Sequence, residues 1–150
     1  FMAVEMASVP SYALAAILKG RKAASEAGLK YAVYGAGAAG VMLYGISLVA
    51  GVTGSCHLPT IALELGRIVG EGAGNGEIMV LSLAGLMLAV GLAFKLSAVP
   101  FHFWCPDVFE GAAAEVGAFL SVASKAAAVG LAVRLVYGLG TVPAEGADPV

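Results

Sequence analysis

The residues from Tyr31 to Ala50 form an apolar stretch without a single charged side chain. A stretch of roughly 20 such residues is long enough to cross the hydrocarbon core of a bilayer as an α-helix. The composition points the same way, because 60% of the 150 residues are hydrophobic and only 12% are charged. A soluble domain carries about 25% charged residues to cover its surface. The sequence therefore predicts an all-α integral membrane protein.

The composition also excludes several classes of function. The formal net charge of −2 provides no basic surface for a phosphate backbone, so no nucleic-acid partner is expected. The two cysteines, Cys56 and Cys105, do not have the spacing of a metal or redox motif. Neither a disulfide framework nor a metal site is predicted, and no residues that bind a cofactor are identified.

Four apolar stretches predict a polytopic helix bundle with four transmembrane spans. The spans cover about residues 1–18, 31–50, 78–104 and 116–139. Residues 51–77 form a long loop in which Ile61, Leu65 and Ile68 recur at helical spacing. A short surface helix from Leu58 to Val69 is therefore predicted within this loop.

The ends of the chain carry less information. Phe1 already lies inside the first apolar stretch, and the first basic residues follow that stretch, whereas a signal peptide has the opposite order. Residues 1–150 are therefore expected to be a single membrane domain cut from a longer membrane protein. The tail from Thr141 to Val150 is rich in Gly, Pro and acidic residues, and a loop is predicted there.

Positive charge is concentrated in the connection between the first two spans. Residues 19–30 contain four of the eight Lys and Arg residues, whereas residues 51–77 contain only Arg67. Short cytoplasmic loops are enriched in Lys and Arg, so residues 19–30 are predicted to be cytoplasmic and residues 51–77 external. The turn at residues 105–115 is then cytoplasmic as well, although its charged residues are all acidic.

Glu5, Lys95 and Lys125 lie inside the apolar stretches. A charge near the bilayer centre costs about 3 kcal/mol on insertion scales. Lys125 stands nine residues into the fourth span, which places it about 14 Å deep at a rise of ~1.5 Å per residue. One interpretation is a structural ion pair that holds two helices together. Two lysines for one acid leave a cation without such a partner, so the three residues are candidate functional residues.

Two prolines, Pro10 and Pro100, each follow one of these charged residues by five positions. A proline inside a helix cannot donate to the carbonyl four residues back, so the carbonyls of Met6 and Leu96 would be freed. Broken helices of this kind occur at ion pathways in transporters. Pro10 and Pro100 are therefore predicted to break their helices, with the third span interrupted between its lysine and Phe101.

Two further features of the spans are less specific. His102 follows the predicted break, where it is either a packing residue or a proton carrier, since histidine titrates near neutral pH. In the second span, Ala32, Ala36 and Gly40 recur every four residues and predict a face for close helix packing.

The run from Gly91 to Gly111, GLAFKLSAVPFHFWCPDVFEG, closely resembles the seventh-helix signature of the NADH-quinone oxidoreductase subunit N family. These proteins are antiporter-like membrane subunits of respiratory complex I. Residues 29–45, LKYAVYGAGAAGVMLYG, resemble the family's sixth helix, and residues 118–127, AFLSVASKAA, resemble its eighth. Glu5, with Ser8, Pro10 and Tyr12, resembles its fifth helix. The resemblance covers about residues 1–138, which is half of an antiporter-like inverted repeat with one broken transmembrane helix.

The resemblance implies proton translocation. It assigns Glu5 and Lys95 to a coupled pair and Lys125 to the next position on the proton path. His102 is a further relay candidate because of its position after the predicted break, and the resemblance does not assign it a role. The chain would carry no redox centre, and it would not be catalytic alone. NADH, flavin, iron–sulfur clusters and quinone would belong to the rest of the complex. The implied partners are the other membrane subunits and the lipid bilayer, in a bacterial plasma membrane that the chain crosses several times.

Some positions depart from the family pattern. Ala113, Ala114 and Glu115 stand where the family usually has a Pro-Thr-Pro turn, and Ser124 replaces the proline that usually precedes the eighth-helix lysine. A subunit of a related cation/proton antiporter or membrane-bound hydrogenase is the alternative function, and a purely structural membrane subunit is a third. Neighbouring genes for a flavin- and iron–sulfur-bearing arm would distinguish the first two functions.

The charge distribution predicts that Cys56 and Cys105 lie on opposite sides of the membrane, Cys56 outside and Cys105 inside. The two thiols then cannot form an intramolecular disulfide. Single-cysteine variants in sealed vesicles of known orientation should react with an impermeant thiol reagent from opposite sides. Reaction of both thiols from the same side would contradict the predicted orientation.

Overall fold

The computed structural model describes residues 1–70, 72 and 74–140. Six helices follow one another in this part of the chain: α1 (Met2–Ala15), α2 (Lys22–Thr53), α3 (Leu58–Gly70), α4 (Asn75–Leu96), α5 (Trp104–Gly111) and α6 (Ala114–Gly140). The described residues contain no β-strand, and the predicted all-α class is confirmed. The predicted loop at residues 141–150 lies outside the described residues.

Three of these helices are long and apolar enough to cross a membrane. They are α2 with 32 residues, α4 with 22 and α6 with 27. The protein is therefore a multi-pass integral membrane protein. Helix α1, at the first predicted span, has 14 residues, fewer than the roughly 20 needed to cross a bilayer. Helix α3 occupies the place of the predicted short helix in the long loop.

Helix α2 begins nine residues before the predicted start of the second span, at Lys22 instead of Tyr31. Gly20, at φ 79°, turns the chain between α1 and α2, and the extended Arg21 precedes the first helical residue. A helix of 32 residues is about 48 Å long, which exceeds the roughly 30 Å of the hydrocarbon core. The apolar pattern marks only the part of the helix that lipid can surround.

Helix α2 is the centre of the bundle and contacts α1, α3, α4 and α5. It runs antiparallel to α4, because Gly45 packs against Ala84 while Gly91 packs against Met42. Gly45 approaches α4 so closely that an added Cβ would lie 2.9 Å from the carbonyl oxygen of Ala84. Small residues thus allow the backbones of α2 and α4 to come into contact.

Within the described residues, the face of α2 that packs is not the predicted one. Ala36 and Gly40 are exposed, and a Cβ added at Gly40 would have no neighbour within 4 Å. The buried residues of this helix are Ala24, Ala27, Gly28, Tyr31, Gly35, Met42 and Gly45. Apart from the adjacent pair Ala27 and Gly28, their steps of three, four and seven residues stay on one face of a helix with 3.6 residues per turn. A strict four-residue step rotates away from that face.

Helix α4 ends where the third span is broken. Ser97 adopts the left-handed conformation at φ 56° and ψ 36°. Its N–H donates to the Phe94 carbonyl at 3.0 Å, and the Ala98 N–H donates to the Ala93 carbonyl at 2.8 Å. These two bonds form a Schellman motif, which usually has glycine at the left-handed position.

The predicted interruption between Lys95 and Phe101 is confirmed. The span predicted over residues 78–104 is divided into α4 and the N-terminus of α5, which begins at Trp104. The helix already ends at Leu96, so the left-handed serine, three residues ahead of Pro100, stops it. Pro100 has no N–H to donate, so it only prevents a new helix from forming directly after this turn.

The break predicted at Pro10 is wrong, because α1 continues through this residue from Met2 to Ala15. Serine hydroxyls donate to backbone carbonyls on the same helix, from Ser8 to Val4 at 2.9 Å and from Ser11 to Ser8 at 2.6 Å. Neither bond reaches the Met6 carbonyl that Pro10 frees, and the loss of this one backbone bond does not end the helix.

A cluster of buried residues joins five helices next to the break. Its members are Ala15, Tyr31, Phe94, Trp104, Val108 and Leu120. The Trp104 ring stacks on the Tyr31 ring at a centroid distance of 4.4 Å, and the Tyr12 ring meets Tyr31 edge-on at 4.7 Å. This aromatic packing fixes the start of α5 against α1 and α2.

An ion-pair cluster lies beside this aromatic contact, within the first turn of α5. Lys30 Nζ lies 2.6 Å from Glu26 Oε1 on its own helix and 2.8 Å from Asp107 Oδ2 on α5. The acidic turn at residues 105–115 and the basic residues 19–30 therefore lie at the same end of the bundle, as predicted. The side of the membrane that this end faces stays a prediction.

The contact between α2 and α4 predicts opposite effects for two glycine substitutions. Gly45→Ala should lower the melting temperature of the detergent-solubilised full-length protein, because overpacking against backbone costs about 1–3 kcal/mol. Gly40→Ala should leave the melting temperature unchanged or raise it, since alanine favours a helix by up to about 1 kcal/mol over glycine. Equal melting temperatures for the two variants would contradict the close approach at Gly45.

Candidate functional site

Lys95 lies in the last turn of α4 and reaches across to α1. Its Nζ donates to Glu5 Oε1 at 3.0 Å and to Ser8 Oγ at 2.5 Å. The side chains of Lys95 and Glu5 are only 15% and 19% exposed. The predicted approach of these two residues, 90 positions apart in sequence, is confirmed at ion-pair distance.

Helix α1 supplies two partners for Lys95 from one face. Glu5 and Ser8 are three residues apart, so their side chains lie on the same side of the helix. The Ser8 hydroxyl donates its own proton to the Val4 carbonyl, which leaves an oxygen lone pair for the ammonium of Lys95. The sequence analysis did not assign this role to Ser8, although its spacing from Glu5 could have indicated it.

Lys125 extends from α6 to the broken end of α4. Its Nζ donates to the Lys95 carbonyl oxygen at 3.2 Å and to the Ser97 hydroxyl. It also lies over the Trp104 ring, 4.5 Å from the centroid. Within the described ranges, no ion pair links Lys125 to a carboxylate. The sequence analysis predicted a lysine without such a partner, but it did not identify Ser97 or Trp104 as its contacts.

The three charged candidates are thus linked through Lys95, although each belongs to a different helix. Glu5 comes from α1, Lys95 from α4 and Lys125 from α6. Opposite charges attract more strongly in a poorly solvated interior than in water. Removing one member of a buried pair costs about 3–5 kcal/mol, because the remaining charge has no counterpart. The Glu5–Lys95 pair is therefore sensitive to any movement of α1 relative to α4.

His102 is not brought into this group. It is half-buried in the segment between α4 and α5, and its ring stacks on Phe103 at a centroid distance of 5.0 Å. The hydrogen bonds and ion pairs of the described residues do not connect it to Glu5, Lys95 or Lys125. A relay role for His102 stays a prediction.

Several polar atoms near the break are buried without a hydrogen-bond partner among the described residues. They are Tyr12 Oη, His102 Nδ1 and Trp104 Nε1. A cavity of about 390 Å³ between α1 and α6 has Lys95 and Trp104 in its wall, together with Ser8 and Ser124. Polar atoms that are buried in this way are normally satisfied by protein or water. The cavity has room for water, and the polar residues Ser8, Lys95 and Ser124 are part of a mostly apolar wall.

The arrangement suits proton exchange more than bond-making chemistry. A carboxylate and an ammonium at hydrogen-bond distance can share or separate a charge as helices move, and a second amine lies next to them. The described residues hold no group of three or more His, Cys, Asp or Glu side chains that could bind a metal ion.

The fold is a bundle of membrane-length helices with one broken span and with charged residues in its interior. These features place the chain among the multi-pass membrane proteins. The family model described as "NADH:quinone oxidoreductase/Mrp antiporter, TM" matches residues 1–143. This match covers nearly the whole chain, and the chain belongs to this family.

Curated relatives carry a more specific name. The chain is 41% identical over 150 residues to "NADH-quinone oxidoreductase subunit N" of Geobacillus sp. (strain WCH70), covering 99% of this chain and 30% of the relative. It is 44% identical over 137 residues to the protein of the same name from Chlorobium chlorochromatii (strain CaD3), covering 91% of this chain and 26% of the relative. The chain thus spans less than a third of the length of these relatives.

A solved structure has the same fold. A chain of the membrane-bound sulfane sulfur reductase, an archaeal respiratory membrane complex, superposes with a TM-score of 0.74. The sequences are 24% identical, and the match covers 90% of this chain and 26% of the other. At this identity the likeness establishes the antiporter-like fold alone.

The Lys95 contacts predict that Ser8→Ala destabilises the protein. A hydrogen bond to a charged group contributes about 1.5–3 kcal/mol, and alanine removes the acceptor on α1. Ser121→Ala is the matched control, because the exposed Ser121 hydroxyl bonds only to the Ala118 carbonyl on its own helix. The free energy of unfolding of the full-length protein in detergent should fall for Ser8→Ala and change little for Ser121→Ala. Equal losses would count against the Ser8–Lys95 bond.

Proposed function

We propose that the chain is part of a proton-translocating membrane subunit of an NADH-quinone oxidoreductase. In this proposal, protons move through Glu5, Lys95 and Lys125, driven by quinone reduction elsewhere in the complex. The observation that carries the proposal is the contact of Lys95 with both of the others, through its ammonium to Glu5 and through its carbonyl to Lys125. The names of the relatives support the choice of complex.

The relay depends on the charge of Glu5. While the Glu5 carboxylate is 3.0 Å from Lys95 Nζ, the ammonium form of Lys95 is favoured. If α1 moves and the pair separates, an ammonium without a counter-charge in a poorly solvated site releases its proton more readily. Lys125, bonded to the Lys95 backbone, is the next base along the path. Lys125 accepts the proton as a neutral amine, which leaves Lys95 neutral. When Lys95 then takes up another proton, the two ammonium groups repel each other, which favours release of the proton from Lys125 onward.

The surroundings support a hydrated path for this transfer. The cavity beside Lys95 reaches Ser11 and Ser124, and the unpartnered atoms of Tyr12 and Trp104 are close to the same aromatic cluster. Irregular backbone at membrane depth is tolerated where it faces protein or water, and at the start of the segment between α4 and α5 the Ser97 hydroxyl faces Lys125. A purely structural ion pair would not require Lys125 at the same place.

The remaining parts of the proposal concern the whole complex. The chain would act as a non-redox part of a translocase and would not be catalytic alone. NADH, flavin, iron–sulfur clusters and quinone would be bound by other subunits, and this chain would bind no cofactor. Its partners would be the other membrane subunits and the lipid of a bacterial plasma membrane. A flavin- and iron–sulfur-bearing arm in the purified complex would separate this function from that of a related antiporter.

The relay predicts the effect of three substitutions in the full-length subunit of the assembled complex. Glu5→Gln and Lys95→Ala should each reduce proton pumping and coupled quinone reduction by about tenfold or more, since ~1.4 kcal/mol on a barrier is tenfold in rate. Lys125→Ala should also impair pumping, to a smaller extent. Pumping is measured in reconstituted vesicles with a pH-sensitive dye.

Lys22→Ala provides the control, because Lys22 is an exposed lysine at the start of α2, away from the pair. It should pump at the wild-type rate. If Glu5→Gln and Lys95→Ala both assemble and pump at wild-type rates, the relay is wrong and the pair serves only to hold the helices together.

A further inference from the structure

The surroundings of Lys125 differ in kind from those of Lys95. Lys95 has a carboxylate partner, whereas the contacts of Lys125 are a carbonyl oxygen, a hydroxyl and an aromatic ring. Among the residues that the structure describes, it forms no ion pair. A half-buried ammonium therefore has to be stabilised here by neutral groups.

All three neutral groups come from one short segment, residues 95–104. The first two belong to the end of α4. The final carbonyls of a helix have no partner within it and carry partial negative charge. The Schellman bonds satisfy the carbonyls of Ala93 and Phe94, and the ammonium of Lys125 binds the next one, that of Lys95. The hydroxyl of Ser97, the residue that ends α4, binds the same ammonium.

The third group is the ring of Trp104, the first residue of α5. The face of an indole ring attracts a cation within about 6 Å of its centroid, and Lys125 Nζ lies at 4.5 Å. The ring is held rigidly, because Trp104 is 2% exposed, stacked on Tyr31 and tilted against Phe94 at 5.4 Å. The aromatic cluster thus fixes the ring face at the position of the ammonium.

We propose that Trp104 is a positioning residue for Lys125, and that its ring face takes the place of a carboxylate partner. The inference rests on the relay proposed above and adds a residue to it. A ring face attracts an ammonium but not a neutral amine. The contact between α5 and α6 therefore forms when a proton reaches Lys125 and weakens when the proton leaves. A carboxylate in the same place would retain the ammonium more strongly and oppose release.

The experiment changes the electron density of the ring while keeping its shape. Tryptophan and its mono-, di- and higher fluorinated forms are introduced at position 104 of the full-length subunit by nonsense suppression. Proton pumping by the assembled complex is then measured in vesicles. We expect pumping to fall stepwise with each fluorine, by roughly 2- to 30-fold over the series, the rate equivalent of a cation–π contact. Because fluorine adds little volume, the protein should still fold with a fluorinated ring at this buried position.

Phe109 provides the matched control. It lies on the same helix, is 40% exposed and has no cation over its ring among the contacts of the described residues. A fluorinated phenylalanine series at Phe109 should leave pumping unchanged. A flat series at Trp104, or equal slopes at the two positions, would overturn the proposal.

Lys125→Met separates failure of this inference from failure of the relay. If Lys125→Met pumps normally, the relay is wrong at Lys125, and the positioning role of Trp104 is wrong with it. If Lys125→Met is impaired while the Trp104 series is flat, the relay stands and only the positioning role is refuted. In the Lys125→Met background, the proposal requires the Trp104 series to be flat. A remaining slope there would mean that the ring acts through another group.

Discussion

The early end of α4 is the constraint on which the rest of the site depends. Because Ser97 turns into the left-handed conformation, the carbonyl of Lys95 faces Lys125 and does not join a further helical turn. The same turn redirects the chain so that Trp104 begins a separate helix beside Tyr31. In a continuous helix, Lys95 and Trp104 would belong to the same helix. The Lys95 carbonyl would then accept a backbone hydrogen bond and would not be free for Lys125. The charged residues can meet because the helix stops.

The sequence predicts the charged residues of the site well, and the reason is energetic. Glu5, Lys95 and Lys125 stand out because charges within apolar spans are rare and costly. Their neutral partners do not stand out in this way. Ser8 and Trp104 are uncharged, and nothing in their immediate sequence marks them as contacts of a lysine. Such partners become visible only when three helices are placed together.

The errors in the sequence analysis have equally physical reasons. A proline inside a helix removes one backbone hydrogen bond, and the residues around it decide whether the helix breaks. Helix α1 continues through Pro10, whereas the left-handed Ser97 ends α4 ahead of Pro100. The left-handed Ser97 has no sequence signal, since residues other than glycine seldom adopt this conformation. The predicted start of α2 is nine residues too late, because an apolar stretch indicates the thickness of the lipid and not the full length of the helix. The turn 105–115 has only acidic charges, and one of them, Asp107, is paired with Lys30 at the basic end of α2.

The two contacts of α5 with α2 have a mechanical consequence. Trp104 is stacked on Tyr31, and three residues later Asp107 is bonded to Lys30, so α5 is attached to α2 along its first turn. Helix α4 is fastened to α2 by the backbone contact at Gly45. Helices α2, α4 and α5 are thus held together by these contacts, whereas Glu5 and Lys125 belong to α1 and α6. A sliding motion of an ångström by α1 or α6 would change the distance to Lys95. The same motion would shift Ala15 or Leu120 within the buried cluster, so the charged site and the packing of the core are coupled.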